Sequence, residues 1–103
     1  MFTRIMTCTV RLDKKEEFLE AARQLRSAYK DKTGFVDLLT FLSDDRPGHA
    51  LVVAVWRTKS DSQEFYKTSA PLLELKPFLE EQHIEHYYLE TSSVFQIGGG
   101  KAA

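Results

Sequence analysis

The chain has 103 residues, of which 43% are hydrophobic and 28% charged, and these values are typical of a single globular domain. The net charge is −1 with both signs scattered along the chain, which excludes the basic patch of a nucleic-acid binder and a polybasic membrane anchor. The only cysteine is Cys8, so a disulfide scaffold is excluded, and no stretch reaches the ~18 apolar residues of a membrane span.

The segment from Phe2 to Leu12 is rich in β-branched residues and predicts a first strand. Alternation gives it a core face that contains Phe2, Arg4, Met6, Cys8 and Val10. Cys8 is therefore expected to be a buried, inert thiol. The threonines of the opposite face favour either ordinary strand composition or a pocket or subunit contact. Arg4 and three threonines before Asp13 argue against a signal peptide, and we expect a cytoplasmic protein.

A first helix is predicted to begin at Asp13, with Glu16 at the spacing of a capping box. Apolar residues then recur at intervals of three and four for about five turns, from Phe18 to Tyr29. Gly34 is expected to end this helix in a left-handed conformation.

Two further strands are predicted at Phe35 to Leu42 and at His49 to Trp56. The polar turn between them, from Ser43 to Gly48, predicts an antiparallel hairpin. The six residues from Leu51 to Trp56 are all apolar, which predicts a central strand that is buried on both faces.

A second helix is predicted from Ser60 to Ser69, with Gln63 completing a capping box. Because Pro71 and Pro77 interrupt helical geometry, one or two short turns are expected as far as Gln82. Residues 84–95 are predicted to form a fourth strand. The domain is therefore expected to span residues 1–95, with a flexible tail at 96–103.

This β-α-β-β-α-β order predicts an α+β, ferredoxin-like fold: a four-stranded antiparallel sheet with both helices on one face. The second and third strands are apolar on both faces, so the other sheet face would form a large exposed patch. A second copy of the chain is the simplest cover, and we expect a homodimer that packs sheet to sheet.

Four features in this order resemble the antibiotic biosynthesis monooxygenase family of dimeric α+β barrels, over residues 2 to 95. They are the first strand with its amphipathic helix, Gly34-Phe35 opening the second strand, the strand from Val52 to Trp56 followed by Arg57-Thr58, and the helix with Phe65, Tyr66 and Ser69. The resemblance implies a cofactor-independent oxygenase of aromatic polyketides or quinols, in which the substrate supplies electrons to oxygen. Other members have no demonstrated activity.

Relatives that degrade haem use an Asn on the first strand and a Trp and a His on the second helix. Here no Asn lies between Thr3 and Val10, and the helix positions hold Tyr66 and Lys76. This departure argues against haem degradation by that route, and no cofactor is expected.

Aromatic residues near the end of the third strand are the first candidates for a site. Trp56 is either a core aromatic at the strand-to-helix corner or a catalytic pocket wall that offers its indole N–H to a substrate oxygen. Phe65 and Tyr66 are adjacent on a helix, so only one can point squarely at the sheet. Phe65 is the better core residue and a candidate for substrate contact. Tyr66 is either a surface-edge tyrosine or a hydrogen-bond donor to a quinone-like carbonyl.

Polar candidates lie on the first and fourth strands. His83 and His86 have the spacing of a metal pair on a helix, but in a strand they point to opposite faces, and no third ligand accompanies them. We therefore expect no metal; His86 is a candidate base for a phenolic proton, and His83 a candidate for substrate contact. Arg4 on the apolar face either pairs with Glu90 or Asp37 or binds an anionic substrate. His49 beside the turn is expected to be exposed.

The sequence therefore favours a cofactor-independent monooxygenase that acts on a small aromatic substrate. The alternative is a non-catalytic dimeric barrel that binds a hydrophobic ligand or has a regulatory role.

Overall fold

A computed structural model describes residues 1–70 and 72–90 of the chain; at residues 72, 73 and 81–83 only the backbone is described. The regular elements in chain order are β1 (Phe2–Val10), α1 (Lys15–Tyr29), β2 (Phe35–Leu42), β3 (His49–Trp56), α2 (Lys59–Thr68), α3 (Leu72–Leu75) and β4 (Leu79–Glu90). Short 3-10 turns precede α1 at Leu12–Lys14 and β4 at Lys76–Phe78. In these ranges no helix is long and apolar enough to cross a membrane.

The four strands form one antiparallel sheet in the order β2-β3-β1-β4. This order and the β-α-β-β-α-β succession confirm the predicted ferredoxin-like α+β fold. β3 and β1 are the two central strands, whereas β4 is an edge strand. Phe2 pairs with Trp56 and Arg4 with Ala54 across the centre of the sheet.

One face of the sheet carries the hydrophobic core. The alternating residues of β1 that were predicted to face the core are buried or partly buried there, and Cys8 is 3% exposed. β3 contributes Ala50, Val52, Ala54 and Trp56 to the same face, all 7% exposed or less. α1 covers this face with Phe18 and Tyr29, which are nearly inaccessible. The helices therefore lie on one face only, as predicted.

The opposite face, which we call the open sheet face, keeps much of its apolar surface accessible. Leu39, Phe41, Tyr87 and Leu89 are each between 38% and 51% exposed. The alternate residues of β3, Leu51, Val53 and Val55, are only partly buried. In the single chain β3 is therefore fully buried on one face only, because the helices cover that face. Burial of its second face was expected to come from a second copy of the chain and stays a prediction.

Both predicted capping boxes are wrong. No side chain caps the start of α1, and Asp13 lies in the 3-10 turn before the helix. α2 begins one residue earlier than predicted, because the extended backbone of Thr58 lets its hydroxyl accept the Asp61 N–H at 3.0 Å. Helices commonly begin with such a Thr side chain.

Gly34 has the predicted positive φ, at 79°, but α1 has already ended at Tyr29. Gly34 instead shapes the turn into β2, where its carbonyl accepts the Arg57 N–H at 2.7 Å. A Cβ at this position would collide with the side chain of Asp61 on α2. Glycine is thus required both by the backbone conformation and by the close approach of α2.

β4 begins at Leu79, five residues before the predicted start. Leu79 pairs with Val10 and Glu80 with Thr9, and an irregularity then shifts the register before Glu85 pairs with Thr7. The Ser60-to-Gln82 segment does contain a helix followed by short turns, but these turns end at Phe78. The predictions for Pro71, for strand residues 91–95 and for the tail at 96–103 lie outside the described residues.

Candidate functional site

Five rings at the Trp56 end of the sheet form what we call the aromatic cluster: Tyr29, Phe35, Trp56, Phe65 and Tyr66. Trp56 is at its centre, with ring centroids 5.0 Å from Phe65 and 5.5 Å from Phe35. Tyr29 packs edge-on against Phe65 at 4.7 Å. Most of these pairs have the T-shaped geometry that aromatic quadrupoles favour. The cluster joins α1, α2, β2 and β3.

A cavity of about 320 Å³ lies beside the cluster, between the core face of the sheet and the helices. This volume is at the lower end of the range for small-molecule sites. The polar or ionisable side chains that line it are Arg4, Tyr29, Tyr66, Ser69, His86 and Tyr88. The rest of the wall is mainly apolar: Met6, Leu25, Leu38, Val52, Ala54 and Leu75. A small apolar space with a few polar groups is typical of a ligand site.

Arg4 projects into this cavity from an otherwise apolar strand face. Its guanidinium carbon lies 3.7 Å from the ring centroid of Tyr66 and 4.7 Å from that of Tyr88. The predicted ion pair with Glu90 or Asp37 is wrong within the described residues. Asp37 instead binds Arg26, with 2.8 Å between Oδ1 and Nε.

Tyr66 lies at the boundary between the aromatic cluster and the cavity. Burial raises the pKa of its hydroxyl, whereas the positive charge of Arg4 acts in the opposite direction. The pKa of the neighbouring Tyr29 is raised further, chiefly by burial and then by its proximity to Tyr66. Both phenols are therefore protonated at neutral pH, and each can donate a hydrogen bond.

The β4 residues His86 and Tyr88 line the side of the cavity nearest the sheet edge. His86 is exposed and pairs in register with Met6, while Tyr88 is 54% exposed and pairs with Arg4. Strand alternation therefore places both side chains on the core face of the sheet, where a dissolved ligand can reach them. Cavity and solvent meet at this rim.

The side chain of His83 lies outside the described residues, so its predicted role remains a prediction. His49 is exposed, as expected, and lies beside a different surface depression near the β2-β3 turn. Within residues 1–70 and the described side chains of 72–90, no three His, Cys, Asp or Glu groups are arranged to hold a metal ion. Cys8 is buried, and burial raises the pKa of its thiol to about 11, which makes it a poor nucleophile.

Trp56 is 0% exposed and does not line the cavity. This placement favours the first of its two interpretations, a core aromatic at the strand-to-helix corner. The Tyr66 ring is close by, with centroids 5.9 Å apart, and interaction of the indole N–H with the Tyr66 hydroxyl acts to lower the pKa of that hydroxyl. Phe65 also lies behind the cavity wall, against Trp56 and Tyr29, whereas Tyr66 reaches the cavity.

The sequence interpretation did not include Tyr29 and Tyr88 as candidate site residues. The signal for Tyr88 was present, because the predicted topology places β4 beside β1 and so puts Tyr88 next to Arg4. Tyr29 was assigned to the apolar stripe of α1, and its ring is indeed buried in the core. That assignment does not predict that Tyr29 also lies on the cavity wall.

Comparison with known proteins identifies a family. Residues 1–74 match the family model described as antibiotic biosynthesis monooxygenase. No curated protein matches the chain.

Solved structures share the fold. A putative antibiotic biosynthesis monooxygenase from Nitrosomonas europaea is 20% identical with a TM-score of 0.71, and the match covers 88% of this chain and 98% of that one. A putative monooxygenase of the same description from Deinococcus radiodurans is 13% identical with a TM-score of 0.76, over 92% and 96% of the two chains. SnoaB, a cofactor-independent oxygenase from Streptomyces nogalater, is 16% identical with a TM-score of 0.76, over 91% and 95%.

Proposed function

Because the chain belongs to the antibiotic biosynthesis monooxygenase family, we propose that it is a cofactor-independent monooxygenase of a small aromatic, quinol or polyketide-like substrate. The observation that carries this proposal is the cavity beside the aromatic cluster. It has a largely apolar interior, one buried phenol at Tyr29 and one partly buried phenol at Tyr66, and His86 lies at its rim. An aromatic substrate with an acidic C–H or O–H group needs such groups for its binding and deprotonation.

The proposed chemistry uses the electrons of the substrate. For an anthrone, a base removes one C–H proton, and the resulting carbanion transfers electrons to dioxygen and forms a C–O bond to it. The peroxide anion then takes the proton back from the base and becomes a hydroperoxide. Loss of water then breaks the O–O bond and removes the second C–H hydrogen, which leaves a ketone. The net change is one CH₂ group and one O₂ consumed, and one C=O group and one water formed.

Within this scheme the residues have separate tasks. His86 is the proposed base, because an imidazole accepts protons near neutral pH and this one is accessible at the cavity rim. Tyr66 donates a hydrogen bond to the oxyanion that develops when the substrate loses its proton. Trp56 and Phe65 hold Tyr66 in place from behind, with rings 5.9 and 4.8 Å from it.

Oxygen uptake in the presence of a panel of anthrones and hydroquinones tests this proposal. We expect uptake above the spontaneous rate for at least one substrate, with one ketone or quinone formed per turnover. Metal chelators should leave the rate unchanged. Absence of uptake across the panel by folded protein would contradict the proposed activity.

The second candidate is a non-catalytic barrel that binds a hydrophobic ligand. The largely apolar lining of the cavity favours it, because such a wall binds an aromatic molecule without transforming it. Ligand binding without oxygen uptake would support this alternative over the monooxygenase.

We also propose that the active form is a homodimer that covers the open sheet face. In register across the sheet, Leu39 lies beside Val53, Val53 beside Ile5 and Ile5 beside Tyr87, so an apolar row crosses all four strands. Partly exposed residues of this kind are unusual on a monomer when they are contiguous. A second copy, which presents the same row, would bury both faces.

Light scattering tests the dimer. The expected mass is twice that of the 11.8 kDa chain. Phe41→Glu on the open face should shift the mass towards the monomer, whereas the matched change Leu12→Glu, at a residue 70% exposed after β1, should not. A wild-type monomer at micromolar concentration would contradict the proposal.

A further inference from the structure

The Arg4 side chain differs from two other arginines whose ion pairs the structure describes. Arg26 contacts Asp37 and Arg23 contacts Glu20, both with N–O distances below 3 Å. Arg4 has no carboxylate within 4.0 Å and no hydrogen-bond acceptor among the described residues, yet it is partly buried on a strand face whose other members are core residues. A partly buried cation without an anionic partner is energetically costly, since it loses hydration without compensation.

The surroundings of Arg4 hold the guanidinium in a fixed place. Tyr66 packs against it from α2 at 3.7 Å, and Tyr88 from β4 at 4.7 Å. Rings that pack on a guanidinium leave the N–H donors at its edge available, because those donors lie in the plane of the group. The residue opposite Arg4 on β3 is Ala54, which has a small side chain, and both residues line the cavity.

The charge of Arg4 already acts within this cavity. It opposes the effect of burial on the pKa of the Tyr66 hydroxyl, because it favours a negative oxygen at that place. A ligand oxyanion at the same position would gain the same interaction and could also accept two parallel hydrogen bonds from the fork of N–H groups.

We infer that the cavity binds aromatic ligands that carry a carboxylate, and that Arg4 binds this carboxylate while Tyr66 and Tyr88 hold its guanidinium in place. This inference names the substrate class of the proposed monooxygenase. The binding of an aromatic acid does not depend on the proposed function, whereas the oxidation of the bound acid rests on it. An aromatic acid with one or two rings matches both parts of the site: a largely apolar space of about 320 Å³ and the guanidinium of Arg4 at its wall.

Calorimetric titration with a hydroxynaphthoate and with its methyl ester tests the inference, because the two probes differ in charge and only slightly in size. The wild-type protein should bind the acid at least about 10-fold more tightly than the ester, as expected for a charge-assisted hydrogen-bond pair. Arg4→Gln should remove this preference and leave the affinity for the ester nearly unchanged. Arg4→Lys should retain only part of it, because an ammonium cannot form the planar fork.

Arg26→Gln is the matched control, since it removes a surface arginine that binds Asp37 outside the cavity. It should leave both affinities unchanged. Equal binding of acid and ester by wild-type protein, or no binding of either, would overturn the inference, as would full acid affinity in Arg4→Gln. The wild-type comparison and Arg4→Lys decide the matter if Arg4→Gln does not fold.

The outcomes also separate this inference from the proposed function. Tight acid binding that depends on Arg4, without oxygen uptake, would support the ligand class and contradict the monooxygenase. Oxygen uptake with neutral quinols that is insensitive to Arg4→Gln would support the monooxygenase and overturn the ligand class.

Discussion

The aromatic cluster and the cavity wall beside it contain similar side chains in different surroundings. Trp56 in the cluster is fully buried and touches other rings, whereas Tyr88 on the wall is 54% exposed and packs against a cation. Tyr29 and Tyr66 belong to both regions. The difference indicates that aromatic packing stabilises the fold on one side of Tyr66. On the other side, the aromatic and polar groups of the wall are available to a ligand.

Substitutions in the two regions should therefore be detected by different measurements. Substitutions in the cluster should lower the free energy of unfolding, because they create cavities in a packed core. Substitutions of His86 and Tyr88 on the wall should change binding or turnover at nearly constant stability, because these two side chains are exposed. Tyr66 should affect both quantities.

The largest effect is expected for Trp56→Ala. Loss of a fully buried indole that contacts four other rings should cost about 3–5 kcal/mol of unfolding free energy. Urea denaturation measures this cost, and Tyr88→Ala is the matched control on the wall, where the loss should stay below about 1 kcal/mol. Equal losses in the two variants would remove the distinction between the regions.

His86→Gln should lower kcat/KM by about 10²-fold, which is the lower end of the effect of removing a general base. The exposed position of His86 predicts an unfolding midpoint close to that of the wild type. Steady-state oxygen uptake and denaturation of the same preparation check both statements. A loss of turnover that matches a loss of folded protein would assign His86 a structural role instead.

Tyr66→Phe should lower kcat by about 10-fold, because it removes one hydrogen bond to the developing oxyanion. The ring remains, so its packing on Trp56 and Arg4 should persist. Phe65→Leu, at the adjacent residue behind the wall, is the comparison variant: it should destabilise the fold more than Tyr66→Phe and slow turnover less. If Phe65→Leu slowed turnover more than Tyr66→Phe, the site would lie on the Phe65 side of α2 instead.

The smallest effect is expected outside both regions, at the Arg26–Asp37 ion pair. Arg26→Gln should lower the unfolding free energy only slightly at pH 7, since the side chains of Arg26 and Asp37 are 59% and 34% exposed. Hydrogen bonding to Arg26 lowers the pKa of Asp37, so the pair contributes its full stability above the unfolded pKa of about 3.9 and loses it as the pH falls through the lower folded value. Denaturation at pH 7 and at pH 2 should show the difference disappearing in acid.

The sequence predicted those parts of the fold that depend on side-chain period. Alternation along β1 assigned Phe2, Met6 and Val10 to the core, and the structure confirms this. The position of the α2 cap was not predictable in the same way, because Thr58-x-x-Asp61 and Ser60-x-x-Gln63 offer the same kind of pattern. The backbone of Thr58, with φ −137° and ψ 158°, is what selects the first.

The prediction of where β4 begins failed for a different reason. Residues 79–83 read LEEQH, which has no clear alternation, and Pro77 predicted only that the helix would stop. Pairing of Leu79 with Val10 extends the strand, followed by a shift in register. Such pairing depends on a partner that is remote in sequence, so local propensity does not reveal it.

The candidate site was partly predictable. Tyr66 and His86 were identified from their positions on a helix and a strand, and both line the cavity. Arg4 was noted as unusual on its strand face, but only the structure shows that no described carboxylate pairs with it and that Asp37 binds Arg26 instead. The sequence left Trp56 open between a core aromatic and a pocket wall, and the structure buries it outside the residues that line the cavity.

The central claim is that a ligand binds in the cavity and not within the cluster or on the open sheet face. Nuclear magnetic resonance of isotope-labelled protein titrated with a hydroxynaphthoate tests it most directly. We predict that shift changes concentrate at Arg4, Tyr66 and His86, with smaller ones at Trp56. Saturable changes centred instead on the open sheet face around Phe41 and Val53, or no saturable changes at all, would contradict the account.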